Sequence, residues 1–240
     1  MMRIRALPET IILLYCRFLM KTPSLFRRCS GFTLVEILAV IAIVGVLAAI
    51  IIPVTARVRA KMEQTECASN LRQIGMATQL YVSDNEGVLP GPLWSGQKSF
   101  FPDPPSGQLL KYLEPYLETS VVPTPGSNRT RATVFLCPSF PEDIDPVQAR
   151  HYGVNQRVEL NDGSIGRIFG RPRGNEDGSD IRPIRLNALK DPSSTWMVKD
   201  FDQAGIPGYQ GSPYVPELPV HGDVRNHVFF DGHVEAVPVE

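Results

Sequence analysis

The sequence predicts an α+β protein in which a long N-terminal helix, transmembrane in its first half and amphipathic in its second, packs on a C-terminal antiparallel β-sheet head. Three features of the 240-residue chain support this prediction. An uncharged apolar run of helical length lies near the N-terminus, and a one-sided helical pattern follows it. Short alternating segments between Pro and Gly residues fill the rest.

The apolar run predicts a helix that crosses a membrane. Residues 37–56 contain no charge, and twelve of these twenty residues are Ile, Leu or Val. Their combined insertion free energy is about −5 kcal/mol, which exceeds the cost of one acid, Glu36, at the end of the span. A cleaved secretory signal would have a shorter apolar region and a small-residue cleavage site.

The orientation of this span follows from the charges before it. The cationic residues before it include Arg17, Lys21, Arg27 and Arg28. The positive-inside rule therefore predicts a single-pass membrane protein with its N-terminus in the cytoplasm and the rest of the chain outside it. A simple membrane anchor would explain this apolar segment, but it would not explain the presence of Gly31 and Glu36.

The stretch GFTLVE, residues 31–36, followed by an apolar helix, resembles the prepilin cleavage and methylation motif of type IV pilins and type II secretion pseudopilins. The resemblance implies that a prepilin peptidase/methyltransferase cuts between Gly31 and Phe32 and methylates the new N-terminus at Phe32. Glu36 then becomes the fifth mature residue, the usual acidic position of the family. Pairing with the ammonium of a neighbouring subunit would offset the desolvation of both charges, so Glu36 is expected to set subunit register in assembly.

The leader is predicted to comprise residues 1–31, with Met20 as an alternative start codon. Its removal leaves 18 Lys+Arg against 24 Asp+Glu, a formal net charge of −6, which argues against nucleic acid as a partner. Cys67 and Cys137 remain in the mature chain. They are expected either to form one disulfide or to stay as two free buried cysteines.

The chain is predicted to divide into a transmembrane helix at 32–56, an amphipathic helix at 57–87 and a β-rich head at 88–240. Pro53 removes one backbone hydrogen bond and is expected to kink the helix. Gly87 suits a left-handed helix end. Apolar or small residues recur on one face beyond the membrane: Cys67, Leu71, Ile74, Thr78 and Tyr81.

The head is predicted to contain one short helix at 109–117 and six strands. The candidate strands are 133–137, 151–158, 181–186, 195–200, 228–230 and 233–237. Asp231-Gly232 between apolar flanks predicts a two-residue hairpin turn with both residues at positive φ. With His221 it forms H-x9-DG, which resembles a C-terminal element of a branch of bacterial prepilin-like proteins.

A catalytic or metal-binding head is the chemical alternative. His221, Asp223, His227, Asp231 and His233 lie close in sequence, and Asp200 and Asp202 could join them, but they form no recognised metal-binding motif. No nucleophile elbow or phosphate-binding loop is present. The sequence therefore predicts no enzyme, no metal and no cofactor, although His221 has no local structural explanation.

The expected function is that of a prepilin-like precursor, processed and N-methylated, that becomes a structural subunit of a type IV pilus-like or type II secretion pseudopilus filament. The expected partners are the peptidase/methyltransferase, other pilin-like subunits and inner-membrane lipid. The alternative is a membrane-anchored periplasmic binding protein that uses the pilin targeting route without polymerising.

Overall fold

A computed structural model describes residues 33–101, 106–118, 120–174, 177–205 and 208–239. A single helix, α1, covers Leu34–Asp84, and its helical assignment continues through Pro53. The helix ends where Gly87 takes a left-handed φ of 82° and donates its N–H to the carbonyl of Val82 at 2.8 Å. Glycine adopts this conformation without steric cost, as predicted for this position.

The chain divides into two compact units, one that ends at Ile51 and one that runs Ile52–Glu240. In the first unit the large apolar side chains from Leu34 to Ile51 are exposed. Among the described residues, α1 is the one helix that is long and apolar enough to cross a membrane by length and composition. The predicted boundaries at residues 31, 56 and 87 stay predictions.

The second unit is organised around a five-stranded antiparallel sheet. In their spatial order, its strands are β1 (Gly96–Gln97), β5 (Tyr152–Val154), β8 (Trp196–Asp200), β9 (Val224–Phe229) and β10 (Val234–Pro238). The central strands β5, β8 and β9 carry mostly buried residues, so the core of the head lies over the middle of this sheet.

Smaller elements surround this sheet. A three-stranded sheet has the order β2 (Phe100–Phe101), β4 (Thr130–Ala132) and β3 (Val121–Pro123), and β6 (Val158–Glu159) pairs with β7 (Ile165–Gly166). A short helix, α2, covers Leu110–Leu113 and continues as a 3-10 turn at Glu114–Tyr116. Further 3-10 turns cover Thr133–Phe135 and Leu186–Ala188.

The outer part of α1 packs against β9 and the hairpin that follows it. An added Cβ on Gly75 would lie 2.8 Å from Cγ2 of Val228, so the helix backbone and the strand approach closely only because this residue is glycine. Gln79 donates its side-chain amide to the carbonyl of Phe230 at 2.5 Å. Leu71 and Ile74 are fully buried at this contact face of the helix.

The hairpin between β9 and β10 forms as predicted, but its turn is of a different type. Phe229 accepts the N–H of Gly232 at 2.9 Å and donates to the carbonyl of His233 at 2.9 Å, which gives a three-residue loop. Gly232 has a φ of 94°, whereas Asp231 is not among the residues with positive φ. This is the arrangement of a type I turn followed by a left-handed residue. The buried Phe230 occupies the extra loop position.

The α+β class, with a long N-terminal helix packed on an antiparallel sheet, is confirmed. Three strand predictions are wrong in detail. Residues 133–137 begin with a 3-10 turn, and residues 181–186 make only isolated bridges. Residues 151–158 contain the three-residue strand β5 and the first residue of β6, separated by a segment outside the strands. The predicted strand at 228–230 is longer and begins at Val224.

Candidate functional site

The N-terminal end of α1 is closed by Thr33 and Glu36. The Glu36 carboxylate oxygen Oε2 accepts the backbone N–H of Thr33 at 2.8 Å and the Thr33 hydroxyl at 2.9 Å. The Thr33 hydroxyl oxygen in turn accepts the backbone N–H of Glu36 at 3.3 Å. This reciprocal pair is a capping box, which satisfies backbone donors that a helix end leaves without partners.

Glu36 therefore has a local task in addition to its predicted role between subunits. The pattern T-x-x-E before an apolar run is the sequence signal for this cap, and it is present at residues 33–36. Both described bonds use Oε2, and Oε1 takes part in neither. Gly31 and Phe32, the predicted cleavage and methylation positions, lie outside the described residues. The kink predicted at Pro53 stays a prediction.

A disulfide joins the outer part of α1 to the head. The Sγ atoms of Cys67 and Cys137 are 2.10 Å apart, and 70 residues separate the two cysteines in sequence. Both residues are buried. Near the disulfide, the Asn70 side chain donates to the carbonyl of Leu136 at 2.8 Å. The sequence is compatible with one disulfide or with two free buried cysteines, and the structure contains the disulfide.

His221 lies beside this disulfide, which gives it the structural setting that its local sequence lacks. Its Nε2 is 3.4 Å from Sγ of Cys137 and 3.5 Å from Oδ2 of Asp200. Burial lowers the pKa of His221 to about 4 and raises the pKa of Asp200 to about 7. Burial thus acts against both charges, so the contact is not a strong ion pair. Asp200 Oδ2 also accepts the backbone N–H of Asn226 at 2.7 Å.

Four other members of the C-terminal cluster fall into separate local contacts: Asp202, His227, Asp231 and His233. Asp202 binds Arg225 through two hydrogen bonds of 2.5 and 2.8 Å. Asp231 accepts the backbone N–H of His233 at 3.1 Å and contacts its Nδ1 at 2.6 Å. The ring of His227 packs near Trp196, with 5.9 Å between centroids. Each of these side chains has a structural partner of its own.

Cys67, Cys137 and His221 bring atoms of metal-ligand type within 4.8 Å of one another. Two thiolates and an imidazole would suit Zn²⁺. In this structure, however, the two sulfurs are bonded to each other, and a disulfide does not supply the thiolates that a metal needs. The cluster fits a covalent cross-link with a buried histidine beside it.

His151 supplies a prediction for the pH dependence of folding. Its Nδ1 accepts the backbone N–H of Cys137 at 3.1 Å, and burial lowers its pKa to about 3. The unfolded histidine binds a proton near its ordinary pKa of 6.5. The unfolded state therefore takes up more protons below that pH, and stability falls as the pH decreases from 6.5 towards 3. At about pH 5 the loss from His151 is about 2 kcal/mol.

Urea unfolding of the processed protein in detergent, at pH 7 and at pH 5, measures this loss. The substitution His151→Gln is expected to lower stability at pH 7 and to make its pH dependence shallower than that of the wild type. An unchanged pH dependence in His151→Gln would contradict the assignment.

Comparison with known proteins identifies the N-terminal segment. Residues 26–52 match the family described as the prokaryotic N-terminal methylation motif. Over 59 residues the chain is 39% identical to the type IV major pilin protein PilA of Myxococcus xanthus (strain DK1622), which covers 25% of this chain and 27% of that protein. Over 59 residues it is 37% identical to the type II secretion system core protein G of Aeromonas hydrophila, covering 25% of this chain and 41% of that protein. No solved structure matches the chain.

The predicted resemblance to pilins and pseudopilins is confirmed by these matches. The methylation motif spans the capping box and the first part of α1, which includes most of the apolar run. The chain matches less than half the length of either relative.

Proposed function

We propose that this chain is a prepilin-like precursor that is cut between Gly31 and Phe32, methylated at Phe32 and assembled as a structural subunit of a filament. The filament is of the type IV pilus or type II secretion pseudopilus kind. The peptidase/methyltransferase, other pilin-like subunits and inner-membrane lipid are its partners. The head lies on the periplasmic side, as the basic residues before the span indicate.

The observation that carries the proposal is the methylation motif, matched over residues 26–52, directly before and within an apolar helix. The two relatives named above are a major pilin and a secretion-system core protein, and both support a structural role rather than a catalytic one. Within the described residues, the large apolar side chains of α1 from Leu34 to Ile50 are exposed. Lipid before assembly and other subunits afterwards would cover them.

The head supports the same role through its rigid connection to the outer part of α1. Three contacts fix the head to the helix at successive places: the disulfide at Cys67, the close approach at Gly75 and the hydrogen bond from Gln79. A subunit that is held through its helix would then present its head in one defined orientation relative to residues 67–79.

Mass spectrometry of the protein from cells with and without the prepilin peptidase tests the proposal. With the enzyme, the N-terminal peptide should begin at Phe32 and carry one added methyl group. Without it, the Gly31–Phe32 bond should remain intact. In the processed sample, sheared extracellular or periplasmic filaments should contain the protein. Cleavage at another bond, or recovery of the processed protein in the membrane alone, would argue against the assignment.

A further inference from the structure

The head contains a cavity of about 730 Å³ that the filament role does not use. It lies between the loop before β1, the segment after β5 and the start of β8. The chain contains two tryptophans, Trp94 and Trp196, and both line this cavity together with Tyr209. Apolar rings with a few polar groups between them are typical of sites that bind small molecules.

The charged groups of the cavity are of one sign. Of the residues that the structure describes, Arg157, Arg167 and Arg171 line it, and no Asp or Glu does so. Within the part of the chain that the structure describes, none of the three arginines forms an ion pair with a carboxylate. The pKa of Arg167 is lowered by burial and by the positive charges of Arg171 and Arg157. Three uncompensated cations around one cavity favour an anion.

Three arginines elsewhere in the described structure do have carboxylate partners. Arg59, Arg185 and Arg225 each form an ion pair with a carboxylate. The mature chain is predicted to be acidic, so a local excess of positive charge is not a consequence of its composition. The guanidinium group is planar and binds carboxylate or phosphate through two parallel hydrogen bonds.

The aromatic walls are held in place by their neighbours. An added Cβ on Gly107 would lie 2.6 Å from Cδ1 of Trp94, so the indole packs directly on the glycine backbone. The backbone N–H of Trp94 donates to the carbonyl of Gly107 at 2.8 Å. On the other wall, the Nζ of Lys199 lies 4.5 Å from the ring centroid of Trp196. Walls that are ordered before binding lose less conformational entropy when a ligand enters.

Polar groups between the walls are already hydrogen-bonded to the protein. The Gln156 side chain donates to the carbonyl of Leu93 at 3.0 Å, and its Oε1 lies 3.5 Å from Nη1 of Arg167. The Asn155 side chain donates to the carbonyl of Trp196 at 2.9 Å. These bonds join the segment after β5 to both tryptophan walls and place Arg167 at the cavity.

We propose that this cavity binds a small organic anion, a flat ring that carries a carboxylate or phosphate group. The ring lies against Trp94 and Trp196, and the anionic group is held by Arg167 with Arg171. Both features are needed, because the aromatic walls contribute apolar contact and the arginines contribute charge-assisted hydrogen bonds. The inference concerns the head of a single subunit and does not depend on filament assembly.

Intrinsic tryptophan fluorescence of the full-length protein in detergent tests this proposal, because both fluorophores line the cavity. AMP serves as the phosphate-bearing probe and benzoate as the carboxylate-bearing probe. At least one of them is expected to change the emission in a saturable manner, and the better probe identifies the anionic group. Adenosine, benzyl alcohol, inorganic phosphate and acetate, which each lack the ring or the charge, should bind at least tenfold more weakly than the matching probe.

The double substitution Arg167→Gln with Arg171→Gln should weaken binding of the better probe by about tenfold or more, because two charge-assisted hydrogen bonds are lost. Arg185→Gln removes a surface arginine that pairs with Glu86 and should leave the affinity unchanged. Far-UV circular dichroism compares the folding of the variants. The proposal is overturned if neither probe gives a saturable signal, if the fragments bind as well as the probes, or if the folded double variant keeps its affinity.

Discussion

Replacing Glu36 by Gln is expected to leave the protein in the membrane and to remove it almost completely from filaments. A Gln can keep the capping box, because its side-chain oxygen can accept the same two hydrogen bonds from Thr33. The substitution therefore removes the negative charge and leaves the helix end closed. If Glu36 pairs with the ammonium of Phe32 in a neighbouring subunit, the loss leaves that cation unpaired in an apolar environment. Fractionation into membrane and sheared filaments measures the effect.

Thr33→Val is the matched control for the same contact. It removes the hydroxyl that binds the Glu36 carboxylate at 2.9 Å and keeps the carboxylate itself. Loss of one helix cap costs about 1 kcal/mol, which a long helix in a membrane tolerates. We expect Thr33→Val to assemble at close to the wild-type level. If instead Thr33→Val fails and Glu36→Gln assembles normally, the carboxylate acts as a cap and not as a partner for the next subunit.

Loss of the disulfide is the change expected to have the largest effect on the stability of the head. The cross-link closes a loop of 70 residues between Cys67 and Cys137. The chain-entropy relation gives about 4 kcal/mol for a loop of this length. Substituting both cysteines by Ala should therefore lower the free energy of unfolding of the processed protein by about that amount. Urea unfolding in detergent, followed by the fluorescence of Trp94 and Trp196, measures this difference.

Reduction of the wild-type protein with dithiothreitol provides the control, because it breaks the same cross-link without removing atoms from the core. The reduced wild type and the double alanine variant should unfold at similar urea concentrations, and reductant should not affect the variant. Mass spectrometry after alkylation shows whether the bond was broken. Equal stability of the oxidised and fully reduced wild type would contradict a stabilising role for this disulfide.

The parts of the fold that were predictable from the sequence depend on repeating local patterns. The apolar run at 37–56 and the face containing Leu71 and Ile74 carry a helical period over many residues. The strand at Trp196–Asp200 and the final hairpin have strong local signals as well. The predicted turn type is wrong, because Phe230 is added to the loop, where its buried ring stacks on Phe169 and its carbonyl accepts a hydrogen bond from Gln79.

Other features depend on contacts that local sequence does not contain. Residues 133–137 are rich in residues that favour strands, yet they form a 3-10 turn that leads to Cys137 and its partner on α1. The setting of His221 depends on residues distant in sequence, because its ring contacts Asp200 and Cys137 only in the folded chain. The cavity that contains both tryptophans joins segments that are about a hundred residues apart in sequence. By contrast, the helix cap formed by Thr33 and Glu36 corresponds to a local sequence pattern, T-x-x-E.

The hydrogen bond between Gln79 and Phe230 joins residues that are 151 positions apart, and it has a consequence for biogenesis. During synthesis from the N-terminus, the face of α1 around Ile74 emerges long before the strand that covers it. That apolar face must remain uncovered, or be shielded by another molecule, until almost the whole head has been synthesised. Contacts of such long range form slowly, so the nascent subunit is most exposed to aggregation and proteolysis in this interval.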